Sequence, residues 1–259
     1  MQIIGVVCGK GGVAKTYTSV SLAAEFGKFK GLKVLLVDSD ASRNLTNRCL
    51  AEDADPKFTI ADIYRTKSFD PKKAILHADE DQFPNVDVLP GSREMDHVDK
   101  LIGGRMGADS ILKRALSTLT DYDLIIIDCP PTRGIAVTNA IVASDGILSP
   151  FLLDDNSIDG VLAVDRIISD LVEVGILTES PLRLGSFCTA FDKPRSLATK
   201  LGLAKAQQNI SSFIDLRIPA SSHVREAIGS CTTLQSHRKH PVSKAYAELS
   251  TLVATKLGI

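Results

Sequence analysis

Gly9-Lys10-Gly11-Gly12-Val13-Ala14-Lys15-Thr16 decides how the chain reads. The apolar run before it, residues 3–7, has the look of a buried strand, and residues 18–28 after it read as a helix. A glycine-rich turn between a strand and a helix is the setting of a phosphate-binding loop. Backbone N–H groups of the turn and of the helix N-terminus converge on an anion, and the helix dipole favours negative charge there. The pattern G-x-x-x-x-G-K-[ST] is met with one departure, since Ala14 stands where the second glycine is expected. Lys10 adds a second cation inside the loop, which an ordinary phosphate loop does not require.

Outward from the loop, apolar runs alternate with helical patterns. Residues 34–37, 86–89 and 124–127 are short continuous apolar runs; 147–151 is weaker because Pro150 interrupts it, and 182–188 and 213–218 complete the set. Strands without a period-two alternation are buried on both faces, as in a parallel sheet covered by helices. Helical stripes run over 110–119, over 158–174 and along the C-terminal segment, where Val242, Ala245, Tyr246, Leu249, Leu252 and Val253 follow i, i+3, i+4 spacing. Strand–helix alternation predicts an α/β fold, a doubly wound and mostly parallel sheet with helices on both faces. No repeat and no linker rich in Pro, Gly or Ser breaks the chain, so residues 1–259 read as one domain, with an acidic loop at 79–81.

Bulk properties narrow the function. The 259 residues are 44% hydrophobic, enough for a large core. A net charge of −1 gives no global basic excess of the kind nucleic-acid binders carry, although 30 Lys and Arg leave room for a local patch. The five cysteines (Cys8, Cys49, Cys129, Cys188, Cys231) form no C-x-x-C pair, and the five histidines (His77, His97, His223, His237, His240) lack ligand spacing. These patterns argue against a disulfide framework or a zinc site and for a reducing cytoplasm. No run approaches the ~18 apolar residues of a membrane span, and no signal peptide is read at the N-terminus.

Ligands of open α/β sheets sit beyond the carboxyl ends of the strands. Three predicted strands end in polar chemistry: the first in the glycine loop, the second in Asp38-Ser39-Asp40, the fourth in Asp128-Cys129-Pro130-Pro131. A phosphate loop with strand-end carboxylates makes a nucleoside-triphosphate site with Mg²⁺. Backbone amides and cations hold the phosphates, and carboxylates hold the metal through waters.

These motifs resemble the ParA/MinD family of deviant Walker A ATPases. Residues 10–16 look like its K-G-G-x-G-K-T loop, Val34-Leu35-Leu36-Val37-Asp38-Ser39-Asp40 like its second motif, and Leu124-Ile125-Ile126-Ile127-Asp128-Cys129-Pro130-Pro131 like its Walker B. The likeness continues to Ile218-Pro219 and Ala245-Tyr246. It implies ATP and Mg²⁺ as cofactors, with Gly9, Lys10, Gly11, Gly12, Val13, Ala14, Lys15, Thr16 and Tyr17 around the phosphates and Pro219 near the adenine. Lys15 would grip the β- and γ-phosphates, and Thr16, Asp38 and Asp128 would serve the metal. Asp40 would orient the attacking water, unless it merely caps the following helix. Lys10 would reach a partner's phosphates across an ATP-dependent homodimer, as an arginine finger does in trans; the plainer reading is a solvated loop lysine.

The ParA branch implies a cytoplasmic, nucleoid-associated protein that binds nonspecific DNA and positions a plasmid, a chromosome or a protein body, with a ParB-like or cargo-adaptor partner stimulating hydrolysis. Candidate DNA contacts are Arg195, Lys200, Lys205, Arg217, Arg225, Arg238, Lys239 and Lys244, which otherwise form an ordinary solvated surface. The C-terminal helix lacks the basic face and large aromatics of a membrane-targeting helix, and an iron–sulfur carrier is disfavoured by the absence of paired cysteines. Departures from the family pattern are Ala14, Ala41-Ser42 after Asp40, and Thr189-Ala190-Phe191-Asp192 where some relatives place an asparagine on the base. Ala14 adds a Cβ at a position chosen for backbone freedom. The alternative it favours is a nucleotide-gated regulatory module with little turnover.

Overall fold

The computed structural model describes residues 1–51, 54–131, 134–191, 197–229, 235 and 237–259. Eight strands among them join one sheet: β1 (Gln2–Val6), β2 (Val34–Asp38), β3 (Leu76–His77), β4 (Val86–Leu89), β5 (Leu124–Asp128), β6 (Gly146–Phe151), β7 (Leu182–Phe191) and β8 (Phe213–Pro219). Their order is β3-β4-β2-β5-β1-β6-β7-β8. All neighbours run parallel except the short edge strand β3, which lies antiparallel to β4. Pro150 is tolerated in β6 because the pairing with β1 ends at Val6 and Leu148, so one flank is already open there.

The continuous apolar runs face two cores. Ile3, Leu35, Val37, Ile125 and Ile127 point into one cluster. It is shared with α3 (Ile60–Arg65), α4 (Val98–Ile102), α5 (Ile111–Leu116), α6 (Ile135–Ala143) and α7 (Asp155–Glu173). Ile4, Val6, Leu36, Leu124 and Ile126 point into the other, against α1 (Lys15–Ala24), α2 (Asn44–Cys49) and α10 (Pro241–Leu257). Adjacent residues on one strand thus serve opposite cores, which is why no polar alternation is visible. A third, smaller cluster of Cys8, Val13, Phe151, Ile158, Val161 and Cys188, closed by Ala206 of α8 (Leu197–Asn209), sits beneath the glycine loop. A further helix, α9, covers Ser222–Gly229.

The predicted boundaries shift at several elements: α7 starts at Asp155 rather than at 158, and β7 runs on to Phe191 rather than ending at 188. α1 starts at Lys15, three residues earlier than the apolar pattern indicates, and gives way at its C-terminus to a π-turn over Glu25–Phe29. α6 escapes the periodicity reading because Ile135–Ala143 is apolar almost all round. β3 is too short to register in sequence. Cys8, Cys49, Cys129 and Cys188 are buried, as small fillers should be, and Cys231 lies outside the described residues.

Tyr246 fastens α10 to α1. It is fully buried, its hydroxyl lies 3.1 Å from Thr18 Oγ1, and its ring meets Tyr17 edge-on at 5.7 Å. We predict that Tyr246→Phe costs about 1 kcal/mol and Tyr246→Ala about 3–5 kcal/mol. Urea unfolding of the two variants checks this, and a Tyr246→Phe variant as stable as the parent would show that the hydroxyl contributes nothing beyond packing.

Candidate functional site

The loop between β1 and α1 is shaped by two left-handed residues, Gly12 at φ 75° and Ala14 at φ 66°, ψ 31°. Ala14 therefore keeps the backbone conformation that its Cβ disfavours, at a cost of roughly 1–2 kcal/mol. It is the N-cap residue of α1, its carbonyl accepts the Thr18 N–H at 2.9 Å, and its methyl packs on the α1–α10 core. The exposed Gly11 and Gly12 lie at the positive end of α1, where a turn of this kind makes a cradle for an anion.

Neighbouring elements clamp this cradle. Val13 is fully buried, and its carbonyl lies 3.1 Å from the Thr189 hydroxyl, which also sits 3.2 Å from Phe151 O. Gly9 N donates to Gly160 O of α7 at 3.2 Å. A Cβ on Gly160 would stand 3.2 Å from Cys8 Sγ and 3.3 Å from Lys10 N, so any side chain at residue 160 would press on the loop backbone. Lys15 is 7% exposed and folds back so that Nζ donates to Lys10 O at 2.9 Å.

Asp38 and Asp128 are register partners at the carboxyl ends of β2 and β5, and both are buried. Thr16 Oγ1 donates to Asp128 Oδ2 at 2.6 Å, and Ser19 Oγ reaches Asp128 Oδ1 at 3.2 Å. Burial, and then the Asp38 charge, push the Asp128 carboxyl up to about 7 against the pull of Thr16 and Lys15. Burial likewise raises Asp38 to about 6, opposed by hydrogen bonds from Thr46 and Asp40. Asp38 Oδ2 accepts from Thr46 N at 2.9 Å and Thr46 Oγ1 at 2.6 Å, and Oδ1 accepts from Asp40 N at 3.2 Å. Its wall is Gly91, where a Cβ would meet Asp38 Cγ at 2.8 Å. Asp38 is thus anchored to its own loop and to α2, whereas Thr16 and Asp128 form the hydroxyl–carboxylate pair at the cradle. Oxygen-only donors beside two buried acids short of positive charge fit a hard divalent cation such as Mg²⁺.

Asp40 is half-buried where two clefts of about 650 and 730 Å³ meet; Ser42 and Pro131 border both. The first cleft is lined by Gly11, Gly12, Lys15, Thr16, Tyr17, Asn47 and Arg48. Asp40 Oδ1 accepts from Ser42 N at 2.9 Å, and α2 begins after Arg43, so Asp40 closes a tight turn and does not cap the helix. Pro219 ends β8 beside Phe191 and lines neither cleft.

Lys10 is half-buried in an ion pair. Its Nζ lies 2.8 Å from both carboxylate oxygens of Asp154, which also caps α7 by accepting from Ser157 N at 2.9 Å. Burial works against the Asp154 charge, but the bonds from Lys10 and Ser157 hold its carboxyl below the usual range.

Three of the basic candidates are held in ion pairs. Arg217 pairs with Asp215 and stacks on Phe191, Lys205 pairs with Asp155, and Arg238 pairs with buried Glu25 while lying 4.2 Å above the Phe29 ring. Lys200, Lys239 and Lys244 are exposed and form no ion pair among the described residues. Arg195 and the Arg225 side chain lie outside what is described. His223 and His240 come together, ring centroids 5.3 Å apart, but among the described residues no group of three or more His, Cys, Asp or Glu could hold a metal ion.

Sequence reasoning missed Asp154, Thr46, Gly91, Gly160 and Ser19, and it singled out Thr189 only as a departure from the family pattern. Only Asp154 carries a local signal, as an acid placed before the apolar stripe of a helix. The others act through contacts between distant segments.

Comparison with known proteins agrees with this geometry. The AAA_31 family, described as an AAA domain, matches residues 1–176. The sporulation initiation inhibitor protein Soj of Bacillus subtilis is 32% identical over 185 residues, spanning 70% of this chain and 71% of Soj. The chromosome partitioning protein ParA of Myxococcus xanthus is 29% identical over 198 residues, 76% of this chain and 68% of ParA. Cobyrinic acid a,c-diamide synthase of Mycobacterium smegmatis, solved with a bound ATP analogue and magnesium, superposes with a TM-score of 0.80 at 26% identity, over 100% of this chain and 97% of that one. With a left-handed phosphate loop, its extra lysine and two strand-end aspartates in place, the chain belongs to the ParA/MinD family of deviant Walker A ATPases.

Proposed function

We propose that residues 1–259 act as one ParA-type ATP hydrolase that dimerises on ATP, binds DNA without sequence preference and positions a cargo in the cytoplasm. The observation that carries this reading is the coincidence at one spot of the exposed glycine loop, Lys15, and the Thr16–Asp128 pair at 2.6 Å. Gly11, Gly12 and the N-terminus of α1 would cradle phosphates, and Lys15 would turn from Lys10 O toward the β- and γ-phosphates. Thr16 and Asp128 would hold Mg²⁺, with Asp38 supporting the loop behind them. When bound, the metal neutralises charge on the phosphate oxygens. Asp40, on the lip shared by both clefts, would orient the attacking water. A partner of ParB or adaptor type would stimulate turnover. No described helix is long and apolar enough to cross a membrane.

In this reading Asp154 restrains Lys10 until a second subunit offers a stronger anion. Asp154→Asn keeps a good cap for α7 but weakens the grip on Lys10. ATP-dependent dimers of this variant should form at about tenfold lower protein concentration, about 1.4 kcal/mol, and Lys10→Ala should abolish the ATP dependence. Sedimentation velocity measures both, and an unchanged dimerisation curve for Asp154→Asn removes Asp154 from the switch.

Three exposed lysines, Lys200, Lys239 and Lys244, remain to meet phosphates. DNA retention with ATP against ADP across a salt series should show ATP-dependent binding with a shallow slope, roughly −3 per protomer. Retention that ignores the nucleotide, or none at all, defeats the DNA assignment.

Ala14 supports a second reading, a nucleotide-gated regulator with little turnover, because its strained φ and its methyl both stiffen the loop. Ala14→Gly should leave ATP binding in place and speed phosphate release severalfold. An unchanged rate would acquit Ala14, and no release from either form, with or without DNA, favours the regulator.

A further inference from the structure

A cleft of about 560 Å³ opens between the segment after α3 and the start of α5, and shares no residue with the two clefts at the phosphate loop. Its floor is apolar, with Phe69 and Ile111, and Met106 stands at its edge 95% exposed. Its rim is basic, with Lys67, Arg105 and Arg114.

We propose that this cleft docks a partner polypeptide segment in which carboxylates flank a large apolar side chain. The charges supply the first argument. Among the described residues none of the three rim cations forms an ion pair, although neighbours do: Arg65 with Asp62 and Glu94, and Lys72 with Asp121. The cleft's one carboxylate, Asp70, accepts the Lys72 N–H and caps a short turn. The rim therefore carries a surplus of two positive charges.

The second argument is preorganisation. Arg105 Nη2 donates to Arg65 O at 2.9 Å; Arg114 donates to Gly107 O at 3.1 Å and Ser110 Oγ at 2.7 Å. Neutral acceptors fix both guanidinium planes while leaving their charge unmatched and most of their five N–H donors available. Arg114 also packs on the left-handed turn at Gly107, where a Cβ would stand 3.2 Å from Nη1.

The third argument is the exposed methionine. A free nucleotide or a DNA backbone would satisfy the guanidinium groups but gain little from Met106, Phe69 and Ile111. A peptide with alternating acidic and apolar side chains uses rim and floor together, and Arg and Met are the residue types enriched where proteins meet.

The test is selection of a displayed library of random dodecapeptides against the full chain without nucleotide, so that failure of the ATPase reading leaves it untouched. Recovered peptides should be rich in Asp and Glu around Leu, Phe or Ile. Their affinity should fall at least about tenfold for Arg105→Glu/Arg114→Glu, as for charged groups at an interface centre. If that double variant folds poorly by circular dichroism, Lys67→Glu/Met106→Ser changes only exposed side chains and should lose binding too. Nucleotide affinity should stay at the parental value in both. Recovery of no peptides, of peptides without acidic bias, or of peptides that bind the variants unchanged or are displaced by inorganic phosphate alone overturns the proposal.

Discussion

The loop between β1 and α1 keeps its cradle only while the chain turns left-handed at Gly12 and Ala14, and much of the surrounding fold serves to hold that turn. Val13, between the two, is driven into the third core cluster, and Thr189 fastens its carbonyl to the end of β6. Gly160 lets α7 lie against Gly9. α1 continues straight from the turn with nine of its ten residues buried, so the loop cannot relax without disturbing the core it shares with α2 and α10. A strained backbone residue persists only where its surroundings over-determine it, and Ala14 is such a residue.

The two buried aspartates divide their work by what surrounds them. Asp38 is satisfied by one donor from its own loop and two from Thr46 of α2, and is confined by Gly91, so it shapes the path from β2 to Asp40. Asp128 is met by the hydroxyls of Thr16 and Ser19, both on α1, and so ties β5 to the phosphate loop. Two like charges side by side at strand ends destabilise a metal-free fold. This is the common condition of sites that rest on a cation for their full stability.

Legibility in the sequence followed the range of each interaction. The strands Val34–Asp38 and Leu124–Asp128 were readable because burial on both faces leaves a continuous apolar run. The phosphate loop and both strand-end acids were readable because each is a local motif. The clamp was not: Thr189 lies 176 residues from Val13, and Asp154 lies 144 from Lys10. Such pairs exist only once the strands have been ordered. The basic set shows the opposite failure. Arg217 and Arg238 look alike in sequence, yet one is held by a carboxylate two residues away and the other by a buried glutamate from the π-turn after α1.

That last contact gives α1 two ends of consequence. Its first residue is Lys15 of the phosphate loop, and the residue after its last is Glu25, buried and paired with Arg238, next to Lys239. The ten residues of α1 span about 15 Å as one rigid rod. The π-turn over Glu25–Phe29 places Phe29 beneath the same guanidinium. One rigid helix thus carries the phosphate-loop lysine at one end and adjoins the Glu25–Arg238 pair at the other, so the two features share a single mechanical element.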